Sequence, residues 1–286
     1  MTTPASLPAS LMVRLAAGAP NDALLKLTAD LAARLKVARV IGISARQPIP
    51  IYGSPDLYAP AELVAWDREQ IDKELKAAEE EFRSALEGRV AAVEWRSTVV
   101  TYGSIADYVA EQMRAADLLV TAAHESGALL DRSRYVNVAE LVLRAGRPVL
   151  VAASGQDRVD LRTVVVGWKD TREARRAVQD ALPLLRLAER VIVVEIVARD
   201  EVADARRRTQ DVAAWLTGHG IAATTRAAVT TDSEAVQLRN IASDLELDSG
   251  LLVGGAYGHT RLREWVLGGV TRDFLLQPLR CSLVSH

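Results

Sequence analysis

The chain has 286 residues, too many for one small module and enough for two domains of average size or one large α/β domain. Lys plus Arg number 35 against 37 Asp plus Glu, and the resulting formal charge of -2 gives no electrostatic case for nucleic acid or an anionic membrane as a partner. Hydrophobic residues at 49% and charged ones at 25% describe a globular chain rather than a disordered one, and the single cysteine, Cys281, excludes an internal disulfide framework and any Cys-cluster metal site. The opening MTTPASLPASLMVRL has neither a basic n-region nor a run long enough to span a bilayer, so the expected location is cytoplasmic.

The two halves repeat. Val13 to Ile43 aligns without a gap on Val164 to Val194, matching Ala23 with Ala174, Leu31 with Leu182 and Arg39-Val40-Ile41 with Arg190-Val191-Ile192, at an offset of 151. Later in each half, Leu118-Leu119-Val120 matches Leu251-Leu252-Val253 and Val151 matches Val284, at an offset of 133. The first copy therefore carries 18 extra residues, most of them in the Pro- and Tyr-rich stretch Gln47 to Pro60, which reads as a surface loop. After it, Glu62–Glu87 places Leu63, Trp66, Ile71, Leu75, Phe82 and Leu86 at helical spacing and reads as an amphipathic surface helix.

Ser154–Leu161 is polar and serves as the linker, dividing a domain at 1-153 from one at 162-286. In the second copy, strands are expected at Thr163–Trp168, Arg190–Val197, Ala222–Val229, Gly250–Gly254 and Arg280–Val284. Helices are expected at Thr171–Leu187, Val202–Gly218, Ser233–Leu247 and Val270–Gln277. Short Val/Ile/Leu runs alternating with helical stretches predict an α/β doubly wound parallel sheet in each copy.

The densest glycine signal follows the fourth strand of the second copy. It runs Gly254-Gly255-Ala256-Tyr257-Gly258, then Gly268-Gly269-Val270, so that Gly255, Gly258 and Gly268 are separated by two and nine residues. Glycine lets backbone approach a ligand and turn through positive φ, and the helix opening at Gly269 and Val270 offers unpaired N–H groups to a phosphate. The spacing is neither a P-loop nor a dinucleotide fingerprint, and tight turns with close helix–sheet packing are the structural alternative.

With its tandem organisation, its ending LLVGGAYGHTRLREWVLGGVTRDFL and its opening TVVVGWKDTREARRAV, the chain resembles the universal stress protein family in its tandem-domain form. The resemblance implies five-stranded sheets of order 3-2-1-4-5, paired as an intrachain pseudo-dimer through their last strands, here Arg147–Val151 and Arg280–Val284. Whole chains would pair again as homodimers. It also implies ATP, with magnesium, in the crevice between strands one and four of nucleotide-binding members. Carried over, Gly255, Gly258, Gly268, Gly269 and Val270 would meet the phosphates and Gly254 the ribose or base, with Gly167, Trp168, Lys169 and Ile196 flanking the adenine.

Two departures weaken that transfer. The family usually has Ser or Thr where Gly269 stands, and an Asp that reads adenine where Lys169 stands, which can donate but not accept. The first copy departs further: Ala122, Glu125, Tyr135 and Val136 occupy the positions of Gly255, Gly258, Gly268 and Gly269, so this copy is expected to be degenerate.

No catalytic constellation is visible. His124, His219, His259 and His286 have no ligand spacing, although His124 and Glu125 follow a strand end where sites occur. Cys281 reads as a buried inert thiol, Arg206-Arg207-Arg208 as a solvated helix face, and Trp168 either stacks on a base or packs under the helices. His259, Arg261 and Arg263 either neutralise phosphate or form an exposed basic loop. The expected function is a non-catalytic stress-response regulator with adenine-nucleotide binding in the second domain. The alternatives are an interaction scaffold that has lost nucleotide binding and, less favoured for want of a Ser/Gly-rich loop after strand one, an adenylating or nucleotide-hydrolysing enzyme.

Overall fold

The structure is a computed structural model and describes residues 8–49, 60–123, 133–134, 136–230, 241, 250–256 and 280–286. In the first half, β1 (Ser10–Leu15), β2 (Arg39–Arg46), β3 (Ala92–Val99), β4 (Leu118–Ala122) and β5 (Val149–Ala152) alternate with α1 (Asp22–Arg34), α2 (Ala61–Leu86), α3 (Ile105–Gln112) and α4 (Val138–Ala145). The second half contributes β6 (Asp160–Trp168), α5 (Arg172–Leu185), β7 (Arg190–Val197), α6 (Val202–Gly218), β8 (Ala223–Val229), β9 (Gly250–Gly255) and β10 (Ser282–Ser285).

The strands form one sheet in the order β3-β2-β1-β4-β5-β10-β9-β6-β7-β8. The first half therefore runs 3-2-1-4-5, and the second repeats that order from the opposite edge. All neighbours are parallel except β5 and β10, which meet antiparallel through Ser282↔Val151, Leu283↔Leu150 and Val284↔Val149. The expected seam of last strands forms, with each strand starting two residues later than the sequence pattern marks.

Burial explains the strand sequences. Every residue of β1 is buried, because helices cover both faces of a parallel sheet and leave no polar side to alternate with. On one face, Leu11, Val13, Val120 and Leu150 belong to the same core as Val166, Val178, Val253 and Leu283, so apolar packing is continuous across the seam. On the other, Met12, Ile41, Leu119 and Val149 pack beneath α3 and α4, while Val165, Ile192, Val194 and Leu252 form a separate cluster. The edge strand β3 carries Glu94 and Arg96, ion-paired to each other and, through Glu94, to Arg39 of β2, a charged edge that discourages further pairing.

The long helix α2 buries Ile71, Leu75, Phe82 and Leu86 of the expected stripe and Ala78 besides; the predicted members Leu63 and Trp66, on its first turns, are exposed. Local signals set the shorter helices: Ser104 and Asp107 make a capping box on α3, and Asn137 caps α4, which ends at Gly146 with φ 59. β6 begins at Asp160, three residues before the predicted start, so the strand takes in the end of the linker. Its register shifts between Asp160 and Val164, which hid the extension from a pattern of alternation. Arg34 of α1 donates to the Val159 carbonyl at 2.8 Å and ties the linker to the first half. The helices expected at Ser233–Leu247 and Val270–Gln277 lie outside the described residues, apart from Ile241. Among the described residues, no helix is long and apolar enough to cross a membrane.

Candidate functional site

In the second half the strand order reverses between β6 and β9, the position at which open α/β sheets leave a crevice beyond the carboxyl ends of their strands. Gly167 of β6 lies directly opposite Gly254 of β9, and Trp168 is paired with Glu195 of β7. Alternation along the strands then sorts these residues. Gly167, Gly254 and Ile196 share the face of Val165, Val194 and Leu252, while Trp168, Glu195 and Gly255 share the face covered by α5 and α6.

The group expected to surround a base is thereby divided. Gly167, Gly254 and Ile196 come together, whereas Trp168 packs against the core cluster under the helices, with its indole N–H buried and without a hydrogen-bond partner among the described residues. Of the two readings of Trp168, the structure favours packing. Lys169 is exposed at the turn into α5, where its carbonyl accepts from the Thr171 N–H at 2.7 Å. Gly258, Gly268, Gly269 and Val270 lie outside the described residues, as do His259, Arg261 and Arg263.

Gly255 has a structural duty of its own. A Cβ at this position would stand 2.5 Å from both the Ala174 nitrogen and the Glu173 carbonyl carbon, and neither backbone atom can move aside. The absence of a side chain therefore lets the end of β9 rest on the first turn of α5. That turn is satisfied from within the chain: the Thr171 hydroxyl accepts from the Ala174 N–H at 3.2 Å, and the buried Glu173 carboxylate pairs with Arg172. Burial alone would push the Glu173 carboxyl up, but Arg172, the Glu173 backbone N–H and Thr171 together hold it below the usual carboxylate range.

Beside Trp168, Arg208 of α6 grips the buried Glu195 carboxylate with both ends of its guanidinium, at 2.7 Å from Nη2 and 3.0 and 3.2 Å from Nε. This corrects the expectation that Arg206-Arg207-Arg208 is a solvated face, which holds only for the first two residues. The signal was present in RVIVVEIV, where one carboxylate interrupts a buried strand and requires a cation.

The corresponding end of the first half carries a network of charged side chains. Arg46, at the end of β2, pairs through Nε with Glu74 Oε2 of α2 at 2.9 Å and donates from Nη1 to the Ser133 hydroxyl at 2.8 Å. Arg134 pairs with the other Glu74 oxygen at 2.8 Å and donates to the Gly18 carbonyl, and the buried Arg14 donates to the Arg134 carbonyl. Burial pulls the Arg46 guanidinium below its usual value, with Glu74 acting in the opposite direction. The Glu74 carboxyl rests on Gly18, whose φ of +74 belongs to the left-handed region. Ala122 ends β4, Val136 is buried, and His124, Glu125 and Tyr135 lie outside the described residues. The sequence expectations do not contain these contacts, although Arg14 and Arg46, each in a strand buried at that end, are visible in SLMVRL and RVIGISAR.

The thiol of Cys281 is buried just before β10, donates to Gln156 Oε1 at 3.1 Å, and is pushed up to about 11 by burial, with a bond to the Ala153 backbone acting against this. Its burial agrees with the expectation. His219 ends α6 with its ring tilted against Trp215 at a centroid distance of 4.3 Å. Among the described residues, no group of three or more His, Cys, Asp or Glu could hold a metal ion.

Compared with solved structures, the chain has the fold of the universal stress proteins. It is similar over 99% of its length to 97% of a universal stress protein from Archaeoglobus fulgidus DSM 4304, with a TM-score of 0.71 at 10% identity. A Pseudomonas aeruginosa UCBPP-PA14 protein ascribed to the same group matches 98% of this chain over 94% of its own, with a TM-score of 0.62 at 14% identity. A functionally unknown protein from Pseudomonas aeruginosa PAO1 matches 98% over 93%, with a TM-score of 0.57 at 13% identity. No protein-family model matches the sequence, nor does any curated protein.

Proposed function

We propose that the chain is a cytoplasmic tandem universal stress protein, a non-catalytic stress-response regulator with domains at 1-153 and 162-286, whose second domain binds an adenine nucleotide. The supporting observation is the pairing of Gly167 with Gly254 at the point where the strand order reverses, which leaves backbone without side chains facing the crevice. Gly254, Gly167 and Ile196 would contact the base and ribose, and the backbone from Gly255 through Gly258 and Gly268 to Gly269 and Val270 would meet the phosphates of ATP and its magnesium. The first domain is a structural partner whose crevice is taken up by Arg46, Glu74 and Arg134. Two chains would pair as a homodimer.

A second reading, an interaction scaffold without nucleotide, is favoured by one observation. Lys169 presents an ammonium where a carboxylate would read adenine, and Trp168 is turned away under the helices. A melting curve in saturating ATP and magnesium separates the two, because a ligand that binds only the folded state raises stability by about 2.7 kcal/mol at a hundredfold excess over Kd. The expected result is a rise in Tm that Gly258→Glu removes. No rise in the parent chain would leave the scaffold reading in possession.

A further inference from the structure

The end of β9, where the glycine-rich stretch begins, is held by the C-terminal strand. The Ala256 N–H donates to the Ser285 carbonyl at 2.8 Å, and His286 Nδ1 lies 3.1 Å from the Ala256 carbonyl. Ser285 is in turn fixed from its side chain, donating from Oγ to Asp180 Oδ2 of α5 at 2.8 Å. Asp180 lies 3.7 Å from Arg176 Nε, and Arg176 donates through Nη2 to the Gly146 carbonyl, the C-cap of α4, at 2.8 Å. One continuous set of contacts thus runs from Ala256 through Ser285, Asp180 and Arg176 to the first half.

We propose that Asp180 is a positioning residue for the second crevice, holding Ser285 so that the Gly255–Ala256 backbone stays at a fixed height above α5 and in register with the first half. The proposal rests on reading that crevice as a nucleotide site, but its geometric part does not. Gly255 already touches the first turn of α5, and Asp180 is two turns further along the same helix. α5 therefore supports the root of the glycine-rich stretch at two points, by backbone contact at Gly255 and through Ser285 at Ala256. A support of this kind acts by preorganisation: loss of the Asp180 carboxylate frees the Ser285 hydroxyl and loosens β10 against β9 without touching the crevice.

The test uses the full chain as Asp180→Ala, Asp180→Asn and Ser285→Ala, with amide hydrogen exchange at Ala256 and titration with ATP and magnesium as readouts. Loss of one buried hydrogen bond predicts about tenfold faster exchange at Ala256 in Asp180→Ala and Ser285→Ala. Asp180→Asn, whose amide oxygen still accepts from Ser285, should exchange like the parent. A weaker Kd for ATP in the first two variants, restored in Asp180→Asn, would extend the effect to the site. Unchanged exchange at Ala256 in a folded Ser285→Ala or Asp180→Ala chain overturns the proposal and leaves Asp180 a seam residue only. If the parent binds no ATP, the nucleotide reading fails and the exchange result alone decides whether Asp180 positions this backbone. If Asp180→Ala does not fold, Ser285→Ala, which keeps the Asp180 to Arg176 contact, carries the same comparison.

Discussion

The two halves of this sheet solve the same packing problem with opposite charges. In the first, a buried cation on strand two, Arg46, is held by a carboxylate on the following helix, Glu74; in the second, a buried carboxylate on strand two, Glu195, is held by a cation on the following helix, Arg208. In both pairs the strand member is sealed, with a side chain 4% exposed, while the helix member reaches toward water, Glu74 at 19% and Arg208 at 33%. The halves differ in what lies above the pair. In the first, Arg134 and Ser133 cover the strand ends, while in the second the strand-four end is a glycine resting on α5. A repeated fold thus fixes where a polar tie between strand and helix belongs but leaves its sign free, because either sign neutralises a buried charge equally well.

The largest expected effect comes from removing the helix member of either pair. Glu74→Ala or Arg208→Ala strands a sealed charge and should cost roughly 3 kcal/mol in urea unfolding. Glu195→Ala strands only Arg208, which can turn to water, and should cost about 1 kcal/mol more than the lost packing. Equal losses for Arg208→Ala and Glu195→Ala would show that exposure of the partner left behind does not govern the cost.

The glycines sharpen the same contrast at a smaller scale. Gly255→Ala meets backbone and should destabilise by about 1–3 kcal/mol whatever side chains surround it. Gly18→Ala meets the carboxyl of Glu74 and also strains a positive φ, by about 1–2 kcal/mol. In a double-mutant cycle, Gly18→Ala should therefore couple to Glu74→Ala, while Gly255→Ala should add to it independently.

The smallest effect is one of pH and is confined to the seam. Burial raises the Asp180 carboxyl above its ordinary value, with Ser285, Arg176 and Arg147 pulling the other way. A raised acid is protonated more readily in the folded state than in the unfolded one. Its contribution is therefore present in full below the unfolded carboxylate pKa and is lost as pH rises through the raised folded value. Relative to Asp180→Asn, the parent chain should lose melting temperature across that interval, and parallel Tm profiles would show that Asp180 titrates alike in both states.

Much of the fold was legible because its signals are local or periodic. The ungapped match of Val13–Ile43 with Val164–Val194 revealed the repeat, and apolar runs located β7, β8 and β9 within a residue. Thr171, expected as the first residue of a helix, is its N-cap instead. The site was less legible. The glycine stretch pointed to the end of β9 and alternation alone put Gly167 and Trp168 on opposite faces, but only the packing of α5 and α6 showed that the Trp168 face is the one turned into the core.

By itself the sequence determined the parallel architecture and the position of a glycine at the second switch point, because hydrophobic periodicity and backbone permissiveness act over a few residues; the seam of last strands was implied only by the resemblance to a tandem family. Only the tertiary structure decided that Arg46 and Arg134 share the carboxylate of Glu74, that Arg208 leaves its solvated neighbours to hold Glu195, and that Asp180 reaches Ser285. Buried charges choose partners by proximity in space under the penalty of desolvation, and residues more than a hundred positions apart, such as Asp180 and Ser285, have no local pattern that announces the pairing.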